Sequence, residues 1–111
     1  MVRDFFLGFI KVHILHHAAE HPVYGAWMIE ELHEHGYDLS PGTLYPILHA
    51  LEGEGLLVVE ERVVEGKRRK YYSATGAGRE ALVEAKKKIR ELTEEVLEAE
   101  PEPSSALARE D

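Results

Sequence analysis

Four stretches of the chain repeat apolar residues at helical spacing, and one stretch between the third and the fourth alternates as a strand does. The first predicted helix covers residues 5–19 and ends before Pro22, because proline interrupts a helix. The pattern then predicts the following elements: a helix over 24–35, a helix from the N-cap Ser40 to a stop at Gly55, strands over 57–64 and 67–74 joined by a turn, and a helix from the cap Thr75 to about residue 98.

The first helix has apolar residues on nearly every side, among them Phe6 and Phe9. Such a helix needs more than one neighbour, and in a chain this short one neighbour can be a second subunit. The last helix carries a regular apolar seam with spacings of three, four, three and four residues, formed by Leu82, Ala85, Ile89, Leu92 and Val96. This spacing predicts a short coiled coil and therefore a homodimer.

Trp27 falls on the side of the second helix that bears Glu31 and Glu34, away from the predicted core. An exposed indole is disfavoured, so another group is expected to cover it. Two candidates remain open. One is the last helix of a partner subunit, and the other is a small aromatic effector bound in a cleft near the dimer axis.

Charge is distributed unevenly along the 111 residues, whose net charge is −8. Ten of the 13 Lys and Arg residues and three of the 21 acids lie between residues 62 and 90. A basic block on an acidic body attracts a polyanion to one place only. The chain has no cysteine, which excludes disulfides and thiolate ligands. It also has no asparagine or glutamine, so if the polyanion is DNA, the chain lacks the amide side chains that bind adenine.

Three helices followed by a basic hairpin predict a mainly α fold with a small β-hairpin, the winged helix-turn-helix. We assign residues 1–75 to this domain, 76–99 to a dimerisation helix and 100–111 to a disordered tail. In such domains a helix enters the major groove of DNA and the wing contacts phosphates. The DNA-binding candidates are Ser40, Gly42, Thr43, Tyr45, Pro46 and His49 in the third helix, and Lys67, Arg68, Arg69, Lys70 and Tyr72 in the wing.

Two segments of the sequence resemble the PadR family of transcriptional regulators. Residues 39–48, followed by 51–56, resemble the family's recognition-helix signature, and residues 66–72 with 75–79 resemble its wing and the start of its C-terminal helix. The resemblance implies a homodimeric repressor of the short subtype, with one C-terminal helix. It further implies a pseudo-palindromic operator in double-stranded DNA, which many members release on binding a small effector.

The sequence gives less support to other functions. The chain shows no nucleophile elbow, phosphate-binding glycine loop or His-Glu-x-x-His motif, so we expect no enzyme and no cofactor. His13 and His17 have a spacing that can chelate a metal, but spacing alone is weak support for a site. The alternatives are a winged helix that docks proteins, and a metal or ligand sensor without DNA activity. The apolar run at residues 5–10 is too short to span a bilayer, and we expect a cytoplasmic protein.

Overall fold

The computed structural model describes residues 1–98, which form four α-helices and a three-stranded antiparallel sheet. The elements are α1 (Val2–Glu20), β1 (Val23–Tyr24), α2 (Gly25–Glu34), α3 (Pro41–Gly53), β2 (Leu57–Val64), β3 (Lys67–Ala74) and α4 (Gly76–Leu92), which continues as a π-helical segment (Thr93–Glu98). The strand order is β1-β3-β2. The predicted tail, 100–111, and residue 99 lie outside the described residues.

The core lies where α1, α2 and α3 pack together and against the sheet. Its most buried side chains come from all three helices: Ile14 of α1, Met28 and Leu32 of α2, and Leu44, Leu48 and Leu51 of α3. Each helix turns an apolar stripe inward, which leaves the opposite side of α3 free for solvent or a ligand. The mainly α winged-helix prediction is confirmed.

The hairpin occupies the predicted residues, with Val64 paired to Lys67 across the turn. Glu65 and Gly66 have φ values of 53° and 79°, as a two-residue turn between twisted strands requires. The sequence pattern does not predict β1, because two residues are too few to show alternation. Val23 and Tyr24 pair with Tyr72 and Tyr71, so this short strand ties the start of α2 to the wing.

Hydrogen bonds join the end of α3 to the start of α4. The Thr75 hydroxyl donates to the Gly55 carbonyl at 2.6 Å and accepts from the Gly78 N–H at 3.0 Å, and the Thr75 N–H donates to the Leu56 carbonyl at 3.1 Å. A Cβ on Gly78 would lie 3.1 Å from the Leu56 carbonyl carbon and would overlap its oxygen. We call residues 55–56 and 75–78 the α3–α4 joint. The predicted cap at Thr75 is confirmed.

Removing the Thr75 hydroxyl is expected to destabilise the protein by about 1 kcal/mol or somewhat more. Thr75→Val keeps the shape of the side chain but loses both the helix cap and the bond to Gly55. Thermal unfolding should show a lower midpoint for Thr75→Val and a nearly unchanged one for Thr75→Ser. Equal midpoints for the two variants would mean that the hydroxyl does not hold this joint.

Candidate DNA interface

The exposed side of α3 begins at its first turn. Gly42, Thr43, Tyr45, Pro46 and His49 are all exposed, while Leu44 and Leu48 between them are buried. Gly42, Thr43 and Pro46 are compact, so the first turns of the helix backbone can approach a groove floor closely. Pro46 also leaves the Gly42 carbonyl without its helical donor, which suits a surface that meets water or a ligand.

Ser40 stands at the N-cap position of α3, but its side chain does not form the cap that the sequence predicts. Its main-chain carbonyl accepts from the N–H groups of Thr43 and Leu44 at 3.0 and 2.9 Å. Its hydroxyl instead lies 3.3 Å from the Thr43 hydroxyl. Both hydroxyls are exposed at the start of the helix, where they can turn to meet a phosphate or a base edge.

Tyr45 is positioned by a glycine on α2. A Cβ on Gly25 would lie 2.7 Å from Cζ of the Tyr45 ring, so only glycine leaves room for the ring there. The sequence contains both residues, but no local pattern links them. Tyr45 therefore leans over the start of α2, beside the wing.

The wing and α3 line one cleft of about 460 Å³, although their sequences are about twenty residues apart. The cleft is lined by Tyr45 and His49 of α3, by Tyr24, Gly25 and Ala26 at the start of α2, and by Arg68, Arg69, Lys70 and Tyr72 of β3. The structure thus brings together six of the eleven residues predicted to bind DNA, whereas Ser40, Gly42, Thr43, Pro46 and Lys67 do not line this cleft. Lys67 is exposed next to the turn.

The wing cations differ in what holds them. Arg69 places its guanidinium 4.4 Å from the centre of the Tyr24 ring, and Arg62 lies 4.7 Å from the Tyr71 ring while it also donates to Glu60 at 3.0 Å. Arg68 and Lys70 are exposed, and within residues 1–98 no ion pair is found for either. Together with the exposed Lys67, these are the wing cations most available to a phosphate.

Tyr72 requires a correction. Its residue is only 1% exposed, and burial raises the pKa of its phenol. It pairs with Val23 on one side and Val59 on the other, so it is a core residue at the centre of the sheet. A phosphate cannot reach the bulk of this side chain, and we remove Tyr72 from the DNA-binding set.

The predicted seam on α4 divides into two parts. Leu82 is 6% exposed and belongs to the core of its own chain, which corrects its assignment to the surface between protomers. Ala85 is half-buried. Farther along, Ile89, Leu92 and Val96 are 42%, 51% and 46% exposed, and Phe6 and Phe9 of α1 are also exposed.

Trp27 is partly covered by its own chain. It is half-buried and makes edge contacts with His17 and His21, at centroid distances of 5.4 and 5.2 Å. The expectation that a partner helix or an aromatic ligand covers the rest of its surface stays a prediction.

His13 and His17 lie on one side of α1 with nearly parallel rings 6.4 Å apart. The structure adds a third histidine that the sequence did not connect with them, since His35 of the loop after α2 stacks on His13 at 4.9 Å. Helical spacing could suggest the first pair. The third member depends on how α1 crosses α2, which the sequence pattern does not record.

These features define a winged-helix protein with a cationic wing beside an exposed recognition helix. The profile of the family described as "Transcriptional regulator PadR-like family" matches residues 14–84. The chain is 55% identical over 96 residues to the transcriptional regulator Rv3488 of Mycobacterium tuberculosis (strain ATCC 25618 / H37Rv), which covers 86% of this chain and 90% of that protein.

Solved structures agree with this match. A PadR-like transcription factor from Bacteroides fragilis superimposes with a TM-score of 0.76 at 31% identity, covering 88% of this chain and 96% of that one. A PadR family regulator from Eggerthella lenta DSM 2243 gives a TM-score of 0.74 at 33% identity, covering 86% and 85%.

The chain belongs to the PadR-like family of transcriptional regulators. This confirms the family resemblance. It also confirms that the chain is a regulator and not an enzyme, because the family consists of regulators. Within residues 1–98, no helix combines the length and apolar character needed to cross a bilayer.

Proposed function

We propose that the protein is a sequence-specific repressor that binds double-stranded DNA as a homodimer. The observation that carries the proposal is the shared cleft, where exposed residues of α3 and the cations of β3 face the same space. This arrangement suits a helix that enters the major groove while the wing beside it contacts the phosphate backbone. The acidic remainder of the chain, with its net charge of −8, favours binding through this face alone.

The division of labour follows from the side chains. Arg68 and Lys70 supply affinity through phosphates, and Tyr45 hydrogen-bonds the backbone from the flank of α3. The exposed side of α3 carries no Lys, Arg or amide, which removes the usual contacts to guanine and adenine. Sequence is then read by Thr43, by His49 and by the shape of the DNA.

The dimer is proposed from exposed apolar surface at two places on the chain. Ile89 and Leu92 at the end of α4 and Val96 in the π-helical segment are exposed apolar residues, and Phe6 and Phe9 leave α1 incompletely covered. A second copy of the chain, related by a two-fold axis, would bury both apolar surfaces. That axis would place two α3 helices against two half-sites of a pseudo-palindromic operator.

Release by a small effector belongs to the proposal through the family resemblance. Besides the surface at Trp27, a candidate effector site is the apolar groove of about 700 Å³ between α1 and α3. Because Thr43 and Pro46 help to line it, an effector bound there would cover part of the DNA-binding side of α3. This volume is within the range of small-molecule pockets. The effector must bind the DNA-free arrangement more tightly than the DNA-bound one. As a DNA-binding regulator, the protein would act in the cytoplasm.

Selection of bound sequences from random duplexes tests the proposed function. The expected result is an inverted repeat whose half-site centres are about 34–36 Å apart, one helical turn. A variant with Arg68→Ala and Lys70→Ala should recover little DNA of any sequence. If the unaltered protein enriches no sequence, the alternative of a winged helix that docks proteins is favoured.

A further inference from the structure

Three imidazoles converge between α1 and the end of α2. His13 and His17 project from α1, and His35 follows the last turn of α2. One ring nitrogen from each lies within 4.8 Å of the others. Two helices thus bring together three side chains that favour the same class of ligand, a borderline transition-metal ion.

A carboxylate lies beside two members of the cluster. Oε1 of Glu31 lies 3.4 Å from Nε2 of His17 and 3.5 Å from Nε2 of His35. Zinc binds imidazole nitrogen at about 2.0–2.1 Å, so the edges of a tetrahedral site are about 3.3–3.4 Å. Two separations already have this length, and the ring nitrogens of His13, His17 and His35 lie within 4.8 Å of one another.

Burial disfavours the protonated form of two of the imidazoles. Burial lowers the pKa of His13, and the nearby His35 and His17 lower it further. Burial is also the main cause of the lowered pKa of His17, although Glu31 opposes it. A neutral ring offers a lone pair, which a protonated ring does not.

The cluster is held on one side and open on the other. The edge of Trp27 packs on His17, and Tyr37 contacts His13 with ring centroids 5.6 Å apart. The His17 side chain is 13% exposed, whereas that of His35 is 48% exposed. An ion can therefore reach the cluster from the His35 side without opening the core.

We propose that His13, His17, His35 and Glu31 form a tetrahedral binding site for Zn²⁺ and chemically similar divalent transition-metal ions. The bound ion links α1 to the C-terminal end of α2. Hard cations such as Mg²⁺ are excluded, because they prefer oxygen ligands in octahedral geometry. The site does not depend on the DNA-binding function.

A neighbouring group competes for the same assignment. His16, His17 and Glu20 also cluster, with imidazole-to-carboxylate distances of 3.7 and 3.8 Å. That group lies on α1 alone, and the side chains of His16 and Glu20 are about half exposed. It offers two imidazoles instead of three, so we assign the ion to the cluster that includes His35.

Calorimetric titration of the untagged full-length protein with ZnCl₂ tests the site. We expect one Zn²⁺ per protomer and no heat of binding with MgCl₂. His35→Ala and Glu31→Gln should each weaken binding at least about tenfold, since even second-shell changes at metal sites cost 10–100-fold. His33→Ala is the matched control, because His33 lies two residues away at the same helix end and pairs with Asp38 instead.

A spectroscopic measurement covers the case in which a variant folds poorly. Co²⁺ in a tetrahedral site absorbs visible light strongly, and it quenches a nearby indole. Trp27 is the only tryptophan and contacts His17, so its fluorescence should fall with Co²⁺ in the unaltered protein and in His33→Ala, but not in His35→Ala. Circular dichroism would confirm that the variants are helical.

Three results would overturn the assignment: no Zn²⁺ binding at micromolar concentrations, unchanged affinity in His35→Ala, or loss of binding in His16→Ala with retention in His35→Ala. All measurements are made without DNA. Failure of the metal site would therefore leave the proposed repressor function untouched, and loss of DNA binding would leave the metal result standing.

Discussion

Ile89→Asp is expected to convert the proposed dimer into monomers. Ile89 is 42% exposed in the single chain and lies in the part of the seam that we assign to the partner. A carboxylate there would be buried without a counter-charge, which costs several kcal/mol. Two-fold symmetry places the change in both protomers, so the dissociation constant should rise by about four orders of magnitude.

Sedimentation velocity over a range of concentrations measures this change. Val83→Asp is the matched control, because Val83 is an exposed apolar residue of the same helix that lies outside the seam. It should leave the dimer intact. If Ile89→Asp sediments as a folded dimer, the seam is assigned wrongly, and if both variants dissociate, the interface extends around α4.

Removal of two wing cations is expected to weaken DNA binding by two to three orders of magnitude near physiological salt. Each phosphate that a cation neutralises contributes about −0.9 to the slope of log affinity against log salt. A dimer without Arg68 and Lys70 loses four such contacts, so its slope should become shallower by about 3.6 units. Specific and random duplexes should be affected alike, because phosphates carry no sequence.

Fluorescence anisotropy with labelled duplexes at several salt concentrations gives both quantities. Arg62→Ala serves as the control, since its guanidinium is already engaged by Glu60 and the Tyr71 ring. Its slope should match that of the unaltered protein. An unchanged slope in the double variant would show that the wing does not contact phosphates.

The elements that the sequence predicted well have local causes. Pro41 at the first position of α3 and the Glu65–Gly66 turn fix conformations through their own backbone preferences. The helical stripe of Leu44, Leu48 and Leu51 likewise needs no information beyond spacing. Fold class and hairpin boundaries follow from such features.

The contacts that the sequence did not predict are tertiary ones, between residues far apart in the chain. Leu82 and Ile89 share one apolar spacing, yet Leu82 packs on its own chain and Ile89 does not. Tyr72 follows a cationic run, but β1 pairs beside it and closes the core over it. Trp27 meets His17 and His21, and His13 meets His35, because of the way α1 crosses α2. Spacing along one element does not specify these tertiary contacts.

The α3–α4 joint has a consequence for the spacing of the two half-sites in an operator. Because Thr75 and Gly78 hold the two helices together, the crossing of the two α4 helices in a dimer sets the distance between the two α3 helices. One added base pair moves a half-site by about 3.4 Å and turns it by about 34° around the duplex, as follows from about 10.5 base pairs per turn. A joint that keeps these hydrogen bonds does not follow both displacements. The protein would therefore reject operators that have correct half-sites at the wrong separation. Half-site spacing, as well as base sequence, would determine which genes it regulates.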